Sequence, residues 1–593
     1  MILNHGLAVL QGREVASVPA MVAQVESGGK AQAGAPEPRQ LETEVYKYGM
    51  DDVTDEQRHD GAVKELGNFD KYETWGSDYC TAEEVPDDAD VIDTKLVEKT
   101  KIVDGKLMVR SRLCARGFND PQAHEHRNDS PAVGRTTFFC FLTTILSLAF
   151  QLCKIDISGA FLQGKELVGR CIYLMMPNVL IDMGLVDKLR RFRKIIKGVY
   201  GLNVAPRLWF LRLASILKGM NFAQSHIDPC LFILTVMGKV VCIIAVYVDD
   251  LLIGGKKEMI IEIVGKLSEA LTVGTREYSW EVSEMSYTGK DLELTKDADG
   301  TLTKIKVHQT AYIQHKLAPT VENDWDSGKR SAQAALTPKE CGDYRELQGQ
   351  TAWTSNTRMD VAYDISENAG ASHAPTVGDM KRLHKLARHI VSTADKGIEL
   401  TPIKDPCTVL FADGSWANAE DNKTKGGHAV FLASKKDVEQ GNLAIVCLLA
   451  WICASLKRVC TSTFDAEALS LLRGSDELLA VAYLMSEMYY GRMPSIAEKV
   501  LMYGFGTQEI PRPMLEMYAF NDGQGVIDSL NTTKWAIKSK RRRVDISAMR
   551  ETAEMVKYGH CPTWLNVVDG LTKRDWKLRK MLELAMAGRV QFF

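Results

Sequence analysis

The sequence predicts a multidomain α+β protein, and three observations carry that prediction. At 593 residues the chain is long enough for roughly three or four domains. Residues 240–255 are β-branched and apolar, interrupted by the adjacent carboxylates Asp249 and Asp250 and closed by Gly254 and Gly255. Such a run reads as a strand buried on both faces, then a hairpin with both carboxylates at or beside its turn. Late in the chain, apolar runs again end in carboxylates, at Asp413 and Asp522, with a helical stretch between them.

Composition excludes several classes. The net charge of −3 does not advertise nucleic-acid binding, so basic patches must be sought locally. The thirteen cysteines are odd in number, scattered and without a Cys-x-x-Cys pair, which argues against a disulfide framework or zinc site and for an intracellular, reducing compartment. No basic-then-apolar signal pattern opens the chain. The longest apolar run, 138–153, contains Thr143, Thr144 and Ser147 and falls short of the ~20 residues of a spanning helix. It reads as a core helix, and no membrane association is expected.

Taken in order, residues 1–90 carry no usable motif. Gly, Ala and Pro crowd 28–40 and acids crowd 51–90, the pattern of a flexible or remnant leader. Residues 109–118 alternate basic and apolar side chains, so one strand face would present Arg110, Arg112 and Arg116. That is either a solvated face or a set of guanidinium groups for phosphate oxygens. Asp156 follows a short apolar strand and precedes Gly159, Phe161 and Gly164. In isolation, Asp249 and Asp250 are no more than an ordinary turn. Burying both carboxylates is costly unless a cation neutralises them, and Mg2+ takes carboxylate, water and phosphate oxygens. A third carboxylate, Asp156, would complete a two-metal site for phosphoryl transfer. Beyond the hairpin, 260–271 reads as an amphipathic helix, 287–294 as a strand, 308–317 as a helix and 344–397 as mostly helical.

Four segments in this order resemble the reverse transcriptase of Ty1/copia-type retrotransposons: 112–118 (Arg-Leu-x-Ala-Arg-Gly-Phe), 156–164 (Asp-x-x-x-Ala-Phe-Leu-x-Gly), 200–209 (Tyr-Gly-Leu-x-x-Ala-Pro-Arg-x-Trp) and 247–250 (Tyr-Val-Asp-Asp). The resemblance implies a right-hand polymerase of fingers, palm and thumb over 91–320. Asp156, Asp249 and Asp250 would be the palm's metal ligands, and Phe161 the wall under the incoming sugar. Arg110, Arg112 and Tyr247 would join Phe161 in contacting the nucleotide. It also implies a helical connection segment at 321–405. The chain departs from the family's usual Tyr-Gly-Leu-Lys-Gln-Ala at Asn203 and Val204.

The last part, 406–593, carries Asp413 at a strand end, Glu467 early in a helix, Asp522 at another strand end and Asp569 near the C-terminus. This order resembles ribonuclease H, an α/β domain that holds two metals and hydrolyses the RNA strand of an RNA–DNA hybrid. The densest basic cluster, with Lys538, Lys540, Arg541, Arg542 and Arg543, lies between two of these acids and would grip the hybrid's phosphates. Arg543 stands where the family usually has histidine. The expected cofactor is Mg2+, two per site, or Mn2+. The expected partners are an RNA template, a DNA primer, RNA–DNA hybrid and deoxynucleoside triphosphates, in a cytoplasmic particle or the nucleus. A rival reading is an inactive or domesticated remnant that only binds nucleic acid. Asn203, Val204 and Arg543 favour the rival, and the presence of all seven carboxylates favours catalysis.

Overall fold

The computed structural model describes residues 52–76, 78–103, 106–125, 127–322, 325–417, 423–491, 515–532, 537 and 539–592. The first element, helix α1 (Asp55–Lys71), corrects the expectation of a leader running to residue 90. Thr54 and Gln57 close a capping box at its start, which satisfies two of the otherwise unpaired N–H groups of a helix N-terminus. Its buried face is Gly61, Ala62, Glu65 and Phe69. Three of these are small or charged, so hydropathy did not mark the face. A side chain at Gly61 would put its Cβ 2.8 Å from the Val109 carbonyl oxygen, so glycine lets the helix lie against strand Lys106–Ala115. That strand is the edge of a four-stranded sheet, beside Asp90–Val103, Ile172–Met175 and Phe192–Ile195. Glu65 Oε1 accepts the edge N–H of Leu113 at 3.0 Å, and burial lifts its carboxyl above the usual range.

The second sheet holds the hairpin. Its order is Val273–Tyr278, Gln151–Ile157 (β1), Asp250–Gly255 (β3), Lys239–Tyr247 (β2), Leu231–Val236 and Ala223–Gln224, antiparallel at every pairing. Across it packs helix α2 (Arg135–Ser147), whose residues 137–146 are all buried. A helix apolar all round needs cover on every side. On one side Gly254 makes room for it, since a Cβ there would fall on Ile145 Cδ1. On the other side Phe139 meets Trp451, ring centroids 5.6 Å apart, and the Arg135 guanidinium lies 4.0 Å over the Trp451 ring. The apolar run 138–153 is therefore not one helix. It ends at Ser147, turns through Ala149 at φ 50° and continues as β1 from Gln151.

The third sheet corrects the single strand expected at 287–294. Thr288 and Gly289 both have positive φ, 51° and 70°, and turn the chain between Glu284–Tyr287 and Lys290–Lys296. Leu302–His308 follows, and Gly397–Leu400 closes the sheet after helices Pro338–Trp353, Ala362–Gly370 and Val377–Ser392. Those helices pack round a core of their own.

In the fourth sheet β4 (Pro406–Ser415) runs antiparallel to Lys425–Ser434 and parallel to β5 (Met517–Asn521). Val556–His560 flanks β5, and Leu443–Ser455 and Arg589–Gln591 extend the other side. Helix α3 (Thr463–Tyr490) lies on this sheet, so close at Gly414 that a Cβ would be 2.3 Å from the Ala466 carbonyl carbon. One continuous apolar core joins the second, third and fourth sheets, while the first sheet keeps a separate one. Among the described residues no helix is long and apolar enough to cross a membrane.

Candidate active sites

β2 and β3 are joined through Val248 and Asp249. Asp250 pairs across the hairpin with Tyr247 and, on its other side, with Asp156 of β1. Residues directly opposite in an antiparallel pair project to the same face, so Asp156 and Asp250 share one. Val248 has φ 56°, a left-handed conformation that a β-branched residue holds at a cost of roughly 1–3 kcal/mol. Three hydrogen bonds pin it there: Trp209 Nε1 donates to the Val248 carbonyl at 2.6 Å, Ile157 N to the Asp249 carbonyl at 3.0 Å and Val133 N to the Val246 carbonyl at 3.1 Å.

This corner concentrates negative charge. Burial pushes the Asp250 carboxyl up to about 7, with Lys154 opposing and Asp249 and Asp156 adding to the rise. Asp249 is raised by burial and then by Asp156, and Asp156 by burial, opposed chiefly by Arg110. A Cβ on Gly274 would sit 2.8 Å from Asp156 Oδ2, so the neighbouring strand leaves that carboxylate space only because it carries glycine. Hard oxygen donors with their charged forms disfavoured suit a divalent cation.

Next to the hairpin, Phe161, Tyr200 and Arg112 form a stack. The rings of Phe161 and Tyr200 meet edge-on at 5.7 Å, and the Arg112 guanidinium lies 5.2 Å over Tyr200. Tyr200, not singled out in the sequence, thus bridges two residues that were. Its position is fixed by backbone contact: Ala115 N donates to the Tyr200 carbonyl at 2.7 Å, and a Cβ on Gly201 (φ 83°) would lie 2.0 Å from the Ala115 oxygen. Arg110 is exposed on the same strand, and Arg116 pairs with Asp93 at 3.1 Å. Val204 caps helix Ala205–Gly219 without a side-chain hydrogen bond and packs against the first sheet's core.

In the fourth sheet Asp413 stands on β4, Asp522 just after β5 and Asp569 in the short helix Val567–Leu571. Each offers an oxygen within 4.8 Å of the others, and among the described residues no other three carboxylates, histidines or cysteines do so. The group Asp156, Asp249 and Asp250 is therefore more open. Oδ1 of Asp413, Asp522 and Asp569 is buried without a hydrogen bond, the condition a bound cation would relieve. Glu467 lies beside this cluster. Its Oε2 accepts Gly414 N at 3.0 Å and Asn521 Nδ2 at 2.8 Å. Burial, then Asp413 and Asp522, raise its carboxyl to about 9. Asp569 is raised to about 8, by burial and then Asp413, against Lys573.

Residues 78–315 match the reverse transcriptase (RNA-dependent DNA polymerase) family. The chain is 26% identical over 397 residues to the retrovirus-related Pol polyprotein from transposon RE1 of Arabidopsis thaliana, covering 65% of this chain and 25% of that one. It is 27% identical over 489 residues to the Pol polyprotein from transposon TNT 1-94 of Nicotiana tabacum, covering 78% and 33%. Residues 78–315 are thus similar to the reverse transcriptases of transposon Pol polyproteins. The whole chain spans only a quarter to a third of the length of these relatives. A solved foamy viral protease-reverse transcriptase in complex with dsDNA aligns over 90% of this chain and 99% of its own, at 11% identity and a TM-score of 0.41, too loosely to add to the comparison.

The segment that matches the reverse transcriptase family contains Asp156, Asp249, Asp250, Phe161, Arg110, Arg112 and Tyr247. Outside it, the basic cluster is only partly available. Helix α4 (Lys540–Thr552) exposes Lys540, Arg541 and Arg543. Arg542 is paired with Asp465 at the start of α3, a correction to its expected place on the nucleic-acid surface, and Lys538 lies outside the described residues. Sequence reasoning also passed over Trp209, Asn521, Thr572 and Lys573. Trp209 closes one of the quoted motifs, and Asn521, Thr572 and Lys573 lie one to four residues from Asp522 or Asp569, so their signal was position next to a motif or carboxylate.

Proposed function

We propose that this chain is an RNA-directed DNA polymerase that also hydrolyses the RNA strand of RNA–DNA hybrids. The observation that carries the reading is the hairpin: three carboxylates at one strand corner, inside the reverse transcriptase match, with the turn between them held in a left-handed conformation. Divalent cations bound there and at Asp413, Asp522 and Asp569, two per site and Mg2+ or Mn2+ by donor chemistry, would activate an attacking oxygen and neutralise a leaving one. Asp156, Asp249 and Asp250 would hold the polymerase cations. Arg112 stacks on Tyr200 with its charge toward the triphosphate, and Phe161 walls off the sugar's 2′ position, favouring deoxynucleotides. At the nuclease site Asp413, Asp522 and Asp569 would hold the cations with Glu467 beside them, its Oε2 fixed by Gly414 and Asn521. The exposed Lys540, Arg541 and Arg543 attract hybrid phosphates, whose 2′-hydroxyls distinguish the RNA strand.

The test is primer extension on a homopolymer RNA template with Mg2+, followed by gel analysis of labelled RNA in the hybrid. Wild type should extend and cut. Asp249→Asn should lose extension and keep cutting, and Asp413→Asn should do the reverse. A protein that binds hybrid yet neither extends nor cuts would be the nucleic-acid-binding remnant instead.

A further inference from the structure

The carboxylates Asp413 and Asp569 are reached by a cation that the chain itself supplies. Lys573 follows Asp569 by one helical turn, and its Nζ lies 3.0 Å from Asp569 Oδ2 and 3.5 Å from Asp413 Oδ1. Its side chain is about one-third exposed, so one end of a long, flexible stem sits among buried oxygens while the rest borders solvent. The backbone beneath it is fixed. Lys573 N donates to the Asp569 carbonyl at 3.0 Å, and Thr572 Oγ1 donates to Asp413 Oδ2. Arg574 pairs with Asp364 at 2.9 Å, Arg579 pairs with the same carboxylate, and Lys425 pairs with Glu367 at 2.8 Å. These pairs tie the segment and its sheet to helix Ala362–Gly370. A fixed backbone carrying a flexible ammonium can release two carboxylates without moving either.

We infer that Lys573 is an internal counter-ion that competes with the divalent cation for Asp413 and Asp569, so that metal loading requires the ammonium to swing out of the cluster. This inference rests on the nuclease reading of that cluster. The ammonium holds two of the three carboxylates a cation would use. Its single charge on three donors is weaker than a divalent ion's, so it yields to the metal while lowering the apparent affinity. In doing so it limits the repulsion between aspartates that would otherwise face one another unpaired.

The experiment titrates MnCl2 alone into the full chain by calorimetry, in an Asp249→Asn background that silences the polymerase site, with Lys573 intact or changed to Gln. The Lys573→Gln protein should bind Mn2+ roughly ten-fold more tightly, since no ammonium has to leave. In EDTA it should also melt at a lower temperature than its parent, with the gap closing on adding Mn2+. Equal or weaker binding by the variant overturns the inference while leaving the cluster a metal site. No binding by either protein, with Asp569→Asn giving the same trace, overturns the nuclease reading as well. Should Lys573→Gln not fold, labelling of the parent protein with acetic anhydride and peptide mass spectrometry decide the matter. Lys573 should be protected in EDTA and acetylate several-fold faster in Mn2+, and an unchanged rate overturns the inference.

Discussion

Trp209→Phe tests whether the polymerase turn is held from outside the hairpin. Phenylalanine keeps an aromatic ring at a site only 1% exposed but deletes the Nε1–H that donates to the Val248 carbonyl at 2.6 Å. A net hydrogen bond contributes roughly 0.5–1.5 kcal/mol, and a buried acceptor left unpaired costs about 1–3 kcal/mol. The smaller ring leaves a void in a close-packed core, adding to the loss. The expected destabilisation is therefore about 2–4 kcal/mol, read as a lower urea midpoint in metal-free buffer. The functional effect should be larger than that number suggests. With its outside bond gone, Val248 can relax from φ 56°, carrying Asp249 with it, and a displacement of ~1 Å at a reacting centre can cost about a hundred-fold in rate. Primer extension at saturating deoxynucleotide should fall by roughly that factor, while RNA cleavage in the same preparation holds. Unchanged extension in a measurably destabilised variant would show that Trp209 supports the fold and not the turn. Unchanged stability would refute the hydrogen-bond argument itself.

Three further outcomes are expected. Because burial lifts Asp250 from its ordinary 3.8 to about 7, its contribution to stability is full below pH ~4 and is lost as pH rises through 7, worth about 4 kcal/mol. In EDTA, Asp250→Asn should accordingly be more stable than wild type at pH 8 and lose that advantage at pH 4, with urea midpoints as the readout. Gly254→Ala drives a Cβ onto Ile145 and should cost about 1–3 kcal/mol in the same assay, impairing extension and cleavage together because the core is shared. Phe161→Val should let ribonucleotides into the product, scored by alkaline hydrolysis of extended primers, whereas unchanged discrimination would make Phe161 only the partner of Tyr200.

The hairpin was legible in the sequence because its strands are apolar and its turn is not, a contrast that survives without knowledge of partners. The same holds for Asp413, near the end of buried β4, and Asp522, just after buried β5. What escaped depended on contacts distant in the chain. Helix α1 presents Gly61 and Ala62 to its neighbour, and nothing in hydropathy separates a small residue that packs from one that is exposed. The turn at Thr288 needed positive φ from a β-branched residue, against local preference. Arg542 read as a free cation, since its partner Asp465 is 77 residues away. Glu467 read only as a fourth carboxylate, and its Oε2 contacts with Asn521 and the Gly414 amide join residues far apart in the chain. Val204 was notable only as a missing glutamine, and its packing on the first sheet's core gives it a steric role that a comparison of polar groups overlooks.

Helix α2 has no outward side. Cutting the chain between its two halves would uncover a wall of phenylalanine and leucine on whichever piece kept it, so neither half buries its own core without the other. The same wall sets a length scale. With Phe139 wedged on Trp451 and Ile145 seated on Gly254, the two carboxylate sites are joined through one packed core, like the marks of a calliper. If the chain has both proposed activities, a duplex engaged at both sites is cut at a constant interval behind its growing end, whatever its base sequence, and the spacing of RNA fragments is a property of this helix.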